Sequence, residues 1–195
     1  MCQHRFCNQY INHNISGVGS ILLLKTYNGT NGLRVPNAML FAKERYGRFS
    51  ELFNVIGGKL ENKHNGCLLG AMIAELNEEV KMDRMLSYKD GWNMFDALFK
   101  DNGHIRHYLT QDHNGSYTVI FVGVLPAGTS RNGFNNLINE DNRNNSRPQC
   151  YKEMYCVDWF NPQTYSQIEN KGNCVLSGYA TKVIREFKQH FPNGL

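Results

Sequence analysis

Apolar residues along this chain fall into short runs of strand length and two longer stretches with helical spacing. Residues 16–27, "SGVGSILLLKTY", are almost continuously apolar and suit a strand, with a Gly/Asn turn at 28–32. Residues 35–47, "VPNAMLFAKERYG", predict a second strand ending in a charged turn. Residues 50–58, "SELFNVIGG", predict a short strand running into a glycine pair. From Cys67 to Val80 the period changes: at 100° per residue, Leu69, Met72, Ile73, Leu76 and Val80 share one arc of a helix. Residues 92–99, "WNMFDALF", fit a helical turn or a strand equally well. "HIRHYLTQD" and "GSYTVIFVGVLP" predict paired strands about Asn114–Gly115. The asparagine-rich residues 129–148 read as a long surface loop, and residues 150–160 as a further strand. Residues 173–191 form an amphipathic closing helix, with Asn173 as its cap. Strands, one glutamate-bearing helix, more strands and a last helix give a mixed α/β layout.

Composition narrows this picture without overturning it. With 195 residues, 41% of them hydrophobic, the chain can bury the core of one domain spanning 1–195, with residues 1–15 as a polar extension. A net charge of +4 permits a polyanionic ligand and does not demand one. The N-terminal residues lack the apolar centre of a signal peptide and the greasy runs are strand-sized, so the expected location is the cytoplasm or nucleus, with no membrane partner. Six cysteines then read as free thiols. A zinc site using Cys2, His4 and Cys7, completed by Cys150 and Cys156, is an alternative whose spacing lacks the tight Cys-x-x-Cys of a zinc ribbon.

The chemistry concentrates in "GGKLENKHNGCLLGAMIAELNEEVKM", residues 57–82. Glu75, Glu78 and Glu79 lie at i, i+3 and i+4, where like charges destabilise a bare helix by a few tenths of a kcal/mol per pair. A hard divalent cation reverses that sign, because Mg²⁺ or Mn²⁺ takes several anionic oxygens at once. Gly57 and Gly58 let the backbone turn and pass close to a ligand. The same carboxylates taken alone also suit a solvated helix face. Lys43, Arg45 and Arg48 are candidates for phosphate contacts, and Phe41, Trp92 and Phe95 for stacking on a base. His104, His107 and His113 read as surface residues.

The segment resembles the box of the Nudix hydrolases, G-x5-E-x7-R-E-U-x-E-E-x-G-U with U aliphatic. Gly57-Gly58-Lys59-Leu60-Glu61 resembles its opening and Glu75-Leu76-Asn77-Glu78-Glu79-Val80-Lys81-Met82 its end. The resemblance implies an α/β/α sandwich with a mixed sheet, in which this loop and helix carry a metal site. It further implies Glu75, Glu78, Glu79 and the Gly58 backbone as metal ligands, with Glu75 and Glu78 catalytic and Gly57 beside the substrate. A further glutamate serves as base: Glu153 first, then Glu140 or Asp141. Departures are specific. "ENKHNG" carries a short insertion, Ala74 replaces the box arginine, and His64 or Gly66 stands where its glutamate partner belongs. Lys81 replaces the closing glycine. Both halves of the arginine–glutamate brace are missing together, which costs far less than leaving one half unpaired.

The implied activity is hydrolysis of a nucleoside diphosphate linked to another moiety, with Mg²⁺ or Mn²⁺ as cofactor. An ADP-ribose-like nucleotide and the capped 5′ end of mRNA are the two substrate classes, with Arg131, Arg143 and Arg147 favouring RNA. The asparagine bias and divergent box resemble members from large DNA viruses, including baculovirus ADP-ribose pyrophosphatase-like proteins. A homodimer is the common state in that family. The rival readings are a Nudix fold that binds nucleotide, RNA or protein without cleaving, and a zinc-dependent nucleic-acid module.

Overall fold

A computed structural model describes residues 4–29, 32–46, 50, 52–169 and 175–195. In chain order it contains α1 (Arg5–Asn8), β1 (Ile15–Asn28), β2 (Arg34–Glu44), β3 (Leu52–Asn54), β4 (Ile56–Lys59), α2 (Leu68–Val80), α3 (Met82–Leu86) and α4 (Gly91–Phe99). There follow β5 (Lys100–Asp101), β6 (His104–Ile105), β7 (His107–Gln111), β8 (Tyr117–Val124), α5 (Arg131–Arg143), β9 (Met154–Phe160), β10 (Val175–Leu176) and α6 (Gly178–His190). Single 3-10 turns cover Asn62–His64 and Gln149–Lys152.

β1 is the hub of a mixed sheet. One edge pairs in parallel with β8, from Ile15 opposite Tyr117 to Leu23 opposite Val124. Its other edge is shared: Leu22–Asn28 pairs with β2, and Gly17–Ser20 with β4. β2 likewise gives its far edge to β9 and, beyond the point where β1 leaves it, its near edge to β3. β1 and β2 therefore fork, and residues 52–59 fill the fork. That is why the expected strand over 50–58 is two strands: at Val55 the chain leaves β2 and joins β1.

The burial pattern of β1, with eight consecutive buried positions, reports a strand covered on both faces. On one face Val18, Leu22, Leu24 and Leu40 pack with Leu69, Met72 and Leu76 of α2, Phe95 and Phe99 of α4 and Phe134 of α5. On the other, Ile21, Leu23, Met39, Phe41 and Ile120 pack with Ala180, Val183, Ile184 and Phe187 of α6. The arrangement is an α/β/α sandwich.

Several expectations change. Residues 131–143, read as loop, form α5; Phe134, Ile138 and Asp141 are its buried positions. Its asparagines bond to a strand edge: Asn135 Nδ2 donates to Val157 O (3.2 Å), and Val157 N donates to Asn135 Oδ1 (2.8 Å). Asn142 Nδ2 donates to Met154 O (3.1 Å). These side chains meet β9 on the edge that no strand of the described residues covers. The ambiguous 92–99 segment is helical, capped by Asp90. Ser177 caps α6: its hydroxyl accepts from Ala180 N (2.9 Å) and donates to Asn54 Oδ1 (2.8 Å); Asn173 lies outside the described residues. The N-terminal segment is packed in place: Cys7 is buried, and Phe6 lies edge-on to His107. His107, expected at the surface, is half-buried; Nδ1–H donates to Ile105 O (2.8 Å), and Nε2 meets the Tyr10 hydroxyl. Among the described residues no helix is long and apolar enough to cross a membrane.

Candidate functional site

The fork in the sheet sets β4 directly against α2. Gly57 N–H donates to Glu79 Oε2 at 2.9 Å, so one carboxylate of the helix is held on the glycine strand. Gly58 faces Glu75 so closely that a Cβ there would sit 2.7 Å from its Cδ and 2.8 Å from Oε2. Gly57 has φ +152°, and a Cβ on it would meet the Val18 carbonyl and come within 2.5 Å of the Gly19 Cα. Gly57 thus requires glycine for its φ and for the neighbouring strand, while at Gly58 a side chain would have to displace the Glu75 carboxylate.

The three helix carboxylates point to different partners. Glu79 is 8% exposed and its carboxyl is held well above the usual range, chiefly by burial and then by Glu75; the Gly57 amide opposes this. Burial also pushes Glu75 up, to about 7, with Glu78 as the largest neighbouring charge. Glu78 lies on the more open side, 3.8 Å from Lys63 Nζ.

Two further carboxylates approach from the strands. The β2–β9 register sets Glu44 opposite Met154, next to Glu153. Glu44 is raised by burial and then by Glu153, and both act on Glu79. Glu153 is exposed at the end of the 149–152 turn, and its carbonyl accepts from Arg45 N at 2.6 Å. The sequence reading included Glu153 and missed Glu44, whose signal lies in strand pairing rather than in the glutamate spacing.

Helix α2 ends at Lys81, which has φ +58° where the Nudix pattern has glycine. Its ammonium is buried. It donates to Glu78 O and to Tyr151 O (2.7 Å), and lies 3.5 Å from Asp141 Oδ2. Asp141 also takes Arg84 (2.8 Å) and Arg147 (3.3 Å), while Arg84 reaches Glu140 at 2.6 Å. Asp141 and Glu140, the second choices for a base, are therefore engaged in ion pairs that tie α2, α3 and α5 to the 149–152 turn. Arg147 is engaged there, and Arg131 binds Asp158 at 3.1 Å, so neither is an unpaired RNA contact.

The remaining candidates divide. Phe41 is fully buried between the sheet and α6 and Phe95 is buried beneath α4, so neither can stack on a base. Trp92 is exposed and stacks on His4 at 6.2 Å. Lys43 lies 5.8 Å over the Tyr155 ring and Arg45 5.3 Å over Tyr46. Arg48 and Cys2 lie outside the described residues. Cys7 is in the core, apart from Cys150, which senses the charges of Glu78, Lys63 and Glu153.

A cavity of about 1000 Å³ shares Gly57 and Gly58 with this carboxylate cluster. Asn54, Asp112, Thr118 and Tyr179 are among its lining residues. Asp112 accepts from Ser16 (2.8 Å) and Thr118 (3.1 Å), and Asn54 accepts from Ser177 (2.8 Å).

Among the described residues no three His, Cys, Asp or Glu side chains are grouped closely enough to hold a metal ion as they stand. The donor set nonetheless suits a hard divalent cation. Glu75, Glu78 and Glu79 offer carboxylate oxygens from one helix, and burial raises Glu75 and Glu79 above the usual carboxylate range.

No protein-family model matches the chain, and no curated protein does. Solved structures of similar arrangement include the NUDIX domain of Shewanella oneidensis NrtR complexed with ADP ribose: 11% identity, TM-score 0.48, covering 98% of this chain and 99% of that one. A MutT/nudix family protein from Enterococcus faecalis is 12% identical, with a TM-score of 0.49 over 99% of this chain and 70% of that one. A MutT NUDIX hydrolase from Burkholderia pseudomallei is 14% identical, with a TM-score of 0.37 over 87% and 95%.

Proposed function

We propose that this chain is a metal-dependent pyrophosphohydrolase of the Nudix type, cleaving a nucleoside diphosphate joined to another group. One observation carries the reading: the two ends of residues 57–82 meet in space, with Gly57 N–H on Glu79 and Gly58 bare against Glu75. A solvated helix face would have no reason to bury Glu79 and hold it on a backbone amide.

In this reading Glu75, Glu78, Glu79 and the Gly58 carbonyl hold Mg²⁺ or Mn²⁺. Such ions, when bound, activate a water and neutralise charge on the pyrophosphate oxygens. The chain's own groups then have separate tasks. Glu75, raised by burial to about 7, would give up its proton as the site loads, and burial raises Glu79 in the same direction. Glu153, exposed beside the cluster, accepts the proton of the attacking water. Arg45, also exposed and joined through its backbone to Glu153, is the better placed of the two basic candidates for a phosphate oxygen. The cavity that shares Gly57 takes the nucleoside, with Tyr179 rather than Phe41 as the aromatic wall. Substrate classes that fit are an ADP-ribose-like nucleotide and the capped end of mRNA.

The test is turnover of ADP-ribose, dinucleoside polyphosphates, NAD and capped RNA by the purified chain with Mg²⁺ or Mn²⁺. Glu78→Gln should lower kcat by about 100-fold or more, as loss of a ligand does. Binding of a nucleotide with no turnover of any substrate supports the non-cleaving rival instead. Undiminished turnover by Glu78→Gln removes the metal-site assignment.

A further inference from the structure

The inserted segment "ENKHNG" lies against α2. Its 3-10 turn is pinned at both ends. Glu61 N donates to His64 Nδ1 (3.3 Å), the Glu61 side chain accepts from the His64 backbone, and Cys67 N donates to His64 O (2.8 Å). Asn65 closes the turn in the left-handed region at φ +48°. The residue this rigid turn presents to the helix is Lys63. Its ammonium lies 2.9 Å from Glu61 Oε2 and 3.8 Å from Glu78 Oε1, with half of the side chain exposed.

We propose that Lys63 is a phosphate-binding residue of this site, which exchanges Glu78 for the pyrophosphate oxygens of a nucleoside diphosphate once divalent cations occupy the carboxylates. The inference rests on the metal-dependent reading above and adds to it a role for the inserted loop.

The physical argument concerns charge. Without metal, the ammonium is the counter-ion of Glu78. A divalent cation on Glu78 supplies more charge at the same oxygens and repels the ammonium. Glu61, 2.9 Å away, keeps a negative charge on the loop side of the ammonium, which stays within a side chain's reach of Glu78. The cation's own partner, a pyrophosphate, brings negative oxygens to the same place, and lysine's long stem lets Nζ turn to them without backbone movement. The exchange is cheap at the start, since a half-exposed ion pair contributes less than about fivefold to an equilibrium constant. It is favourable at the end, since a charge-assisted bond to phosphate is worth about tenfold or more. Arginine would serve the phosphate as well; a neutral side chain would not.

The experiment uses the full chain with Lys63→Met and Lys63→Arg. Mn²⁺ binding in the absence of nucleotide is followed by paramagnetic resonance, and binding of α,β-methylene-ADP in the presence of Mn²⁺ by calorimetry. Lys63→Met is expected to bind Mn²⁺ alone up to about fivefold more tightly, and to bind the analogue about tenfold more weakly. Lys63→Arg should keep the analogue affinity near wild type. Because Lys63 is exposed, all three proteins should melt alike, so folding does not confound the comparison. An unchanged affinity of Lys63→Met for either Mn²⁺ or the analogue overturns the proposal, as does an equal loss of analogue binding in both variants. If wild type itself fails to bind the analogue with Mn²⁺, the metal-dependent reading falls and this inference with it. If wild type binds and Lys63→Met matches it, only the role of Lys63 falls.

Discussion

Glu75 and Gly58 touch without a hydrogen bond, and that contact carries two predictions. Alanine at Gly58 would place a methyl against the Glu75 carboxylate, which must swing aside on its flexible stem. Gly58→Ala should cost about 1 kcal/mol, the low end for an overpacked site, because the carboxylate can turn away. In a Glu75→Ala background the same change should be nearly neutral, because the clashing atoms are gone; urea unfolding of the four proteins measures the coupling. The second prediction concerns pH. Glu75 titrates near 7 in the folded chain against an ordinary 4.5, so between these values the folded state binds more protons than the unfolded state. Stability from this source is complete below about pH 4.5 and is lost as pH rises through about 7. Glu79, raised further, extends the loss upward. The metal-free protein should therefore melt at falling temperature from pH 5 to pH 8. Mg²⁺ should restore more at the alkaline end, with proton release visible by calorimetry in buffers of different ionisation enthalpy. At this scale the carboxylates were legible, because their spacing is a property of the helix alone. Glu44 was not legible, because only the β2–β9 register brings it near them. Nor was Phe41, whose aromatic ring is equally suited to a ligand or to the core.

For whole elements, α5 shows where composition misleads. Its asparagines point to a loop under any rule based on turn preference, yet Phe134 and Ile138 stand one helical turn apart and face the core. The periodic signal was present and the polar content masked it. What no local rule contains is the use of Asn135, whose amide gives and takes one hydrogen bond with Val157 as a neighbouring strand would. Asn135→Ala should leave the Val157 N–H and C=O without these partners and cost about 1–3 kcal/mol. A lower urea midpoint at constant slope would register it. Asn135→Asp tests the same bond differently: it keeps the acceptor for Val157 N–H but sets a carboxylate against Val157 O, and should be the more damaging of the two. β1, β8 and α2, by contrast, were legible to within about two residues, because an apolar run or a 3.6-residue period survives into the folded state unaltered.

At the level of the whole molecule, one sheet separates two cores, and among the described residues α6 supplies the helical cover of the second. Deleting residues 177–195 would bare Ile21, Leu23, Met39, Phe41 and Ile120. The truncated chain is expected to aggregate or to bind a hydrophobic dye strongly, where the intact chain stays dispersed. A truncated chain that unfolds cooperatively at an unchanged midpoint would contradict the two-core account. The fork between β1 and β2 is likewise a property of the whole, since it depends on which strands meet, and the sequence shows only that each exists. The parallel pairing of β1 with β8 extends this to the order of manufacture. β2 follows β1 almost at once and closes half of one edge. The other edge, and with it eight successive residues that the fold buries, must wait until Tyr117–Val124 has been translated. At about 5–20 residues per second that is a delay of several seconds. During it, the greasiest strand of the chain stands unguarded outside the ribosome. Nascent β1 is therefore where a chaperone has most to hold, and where slowed translation between β2 and β8 would do most harm.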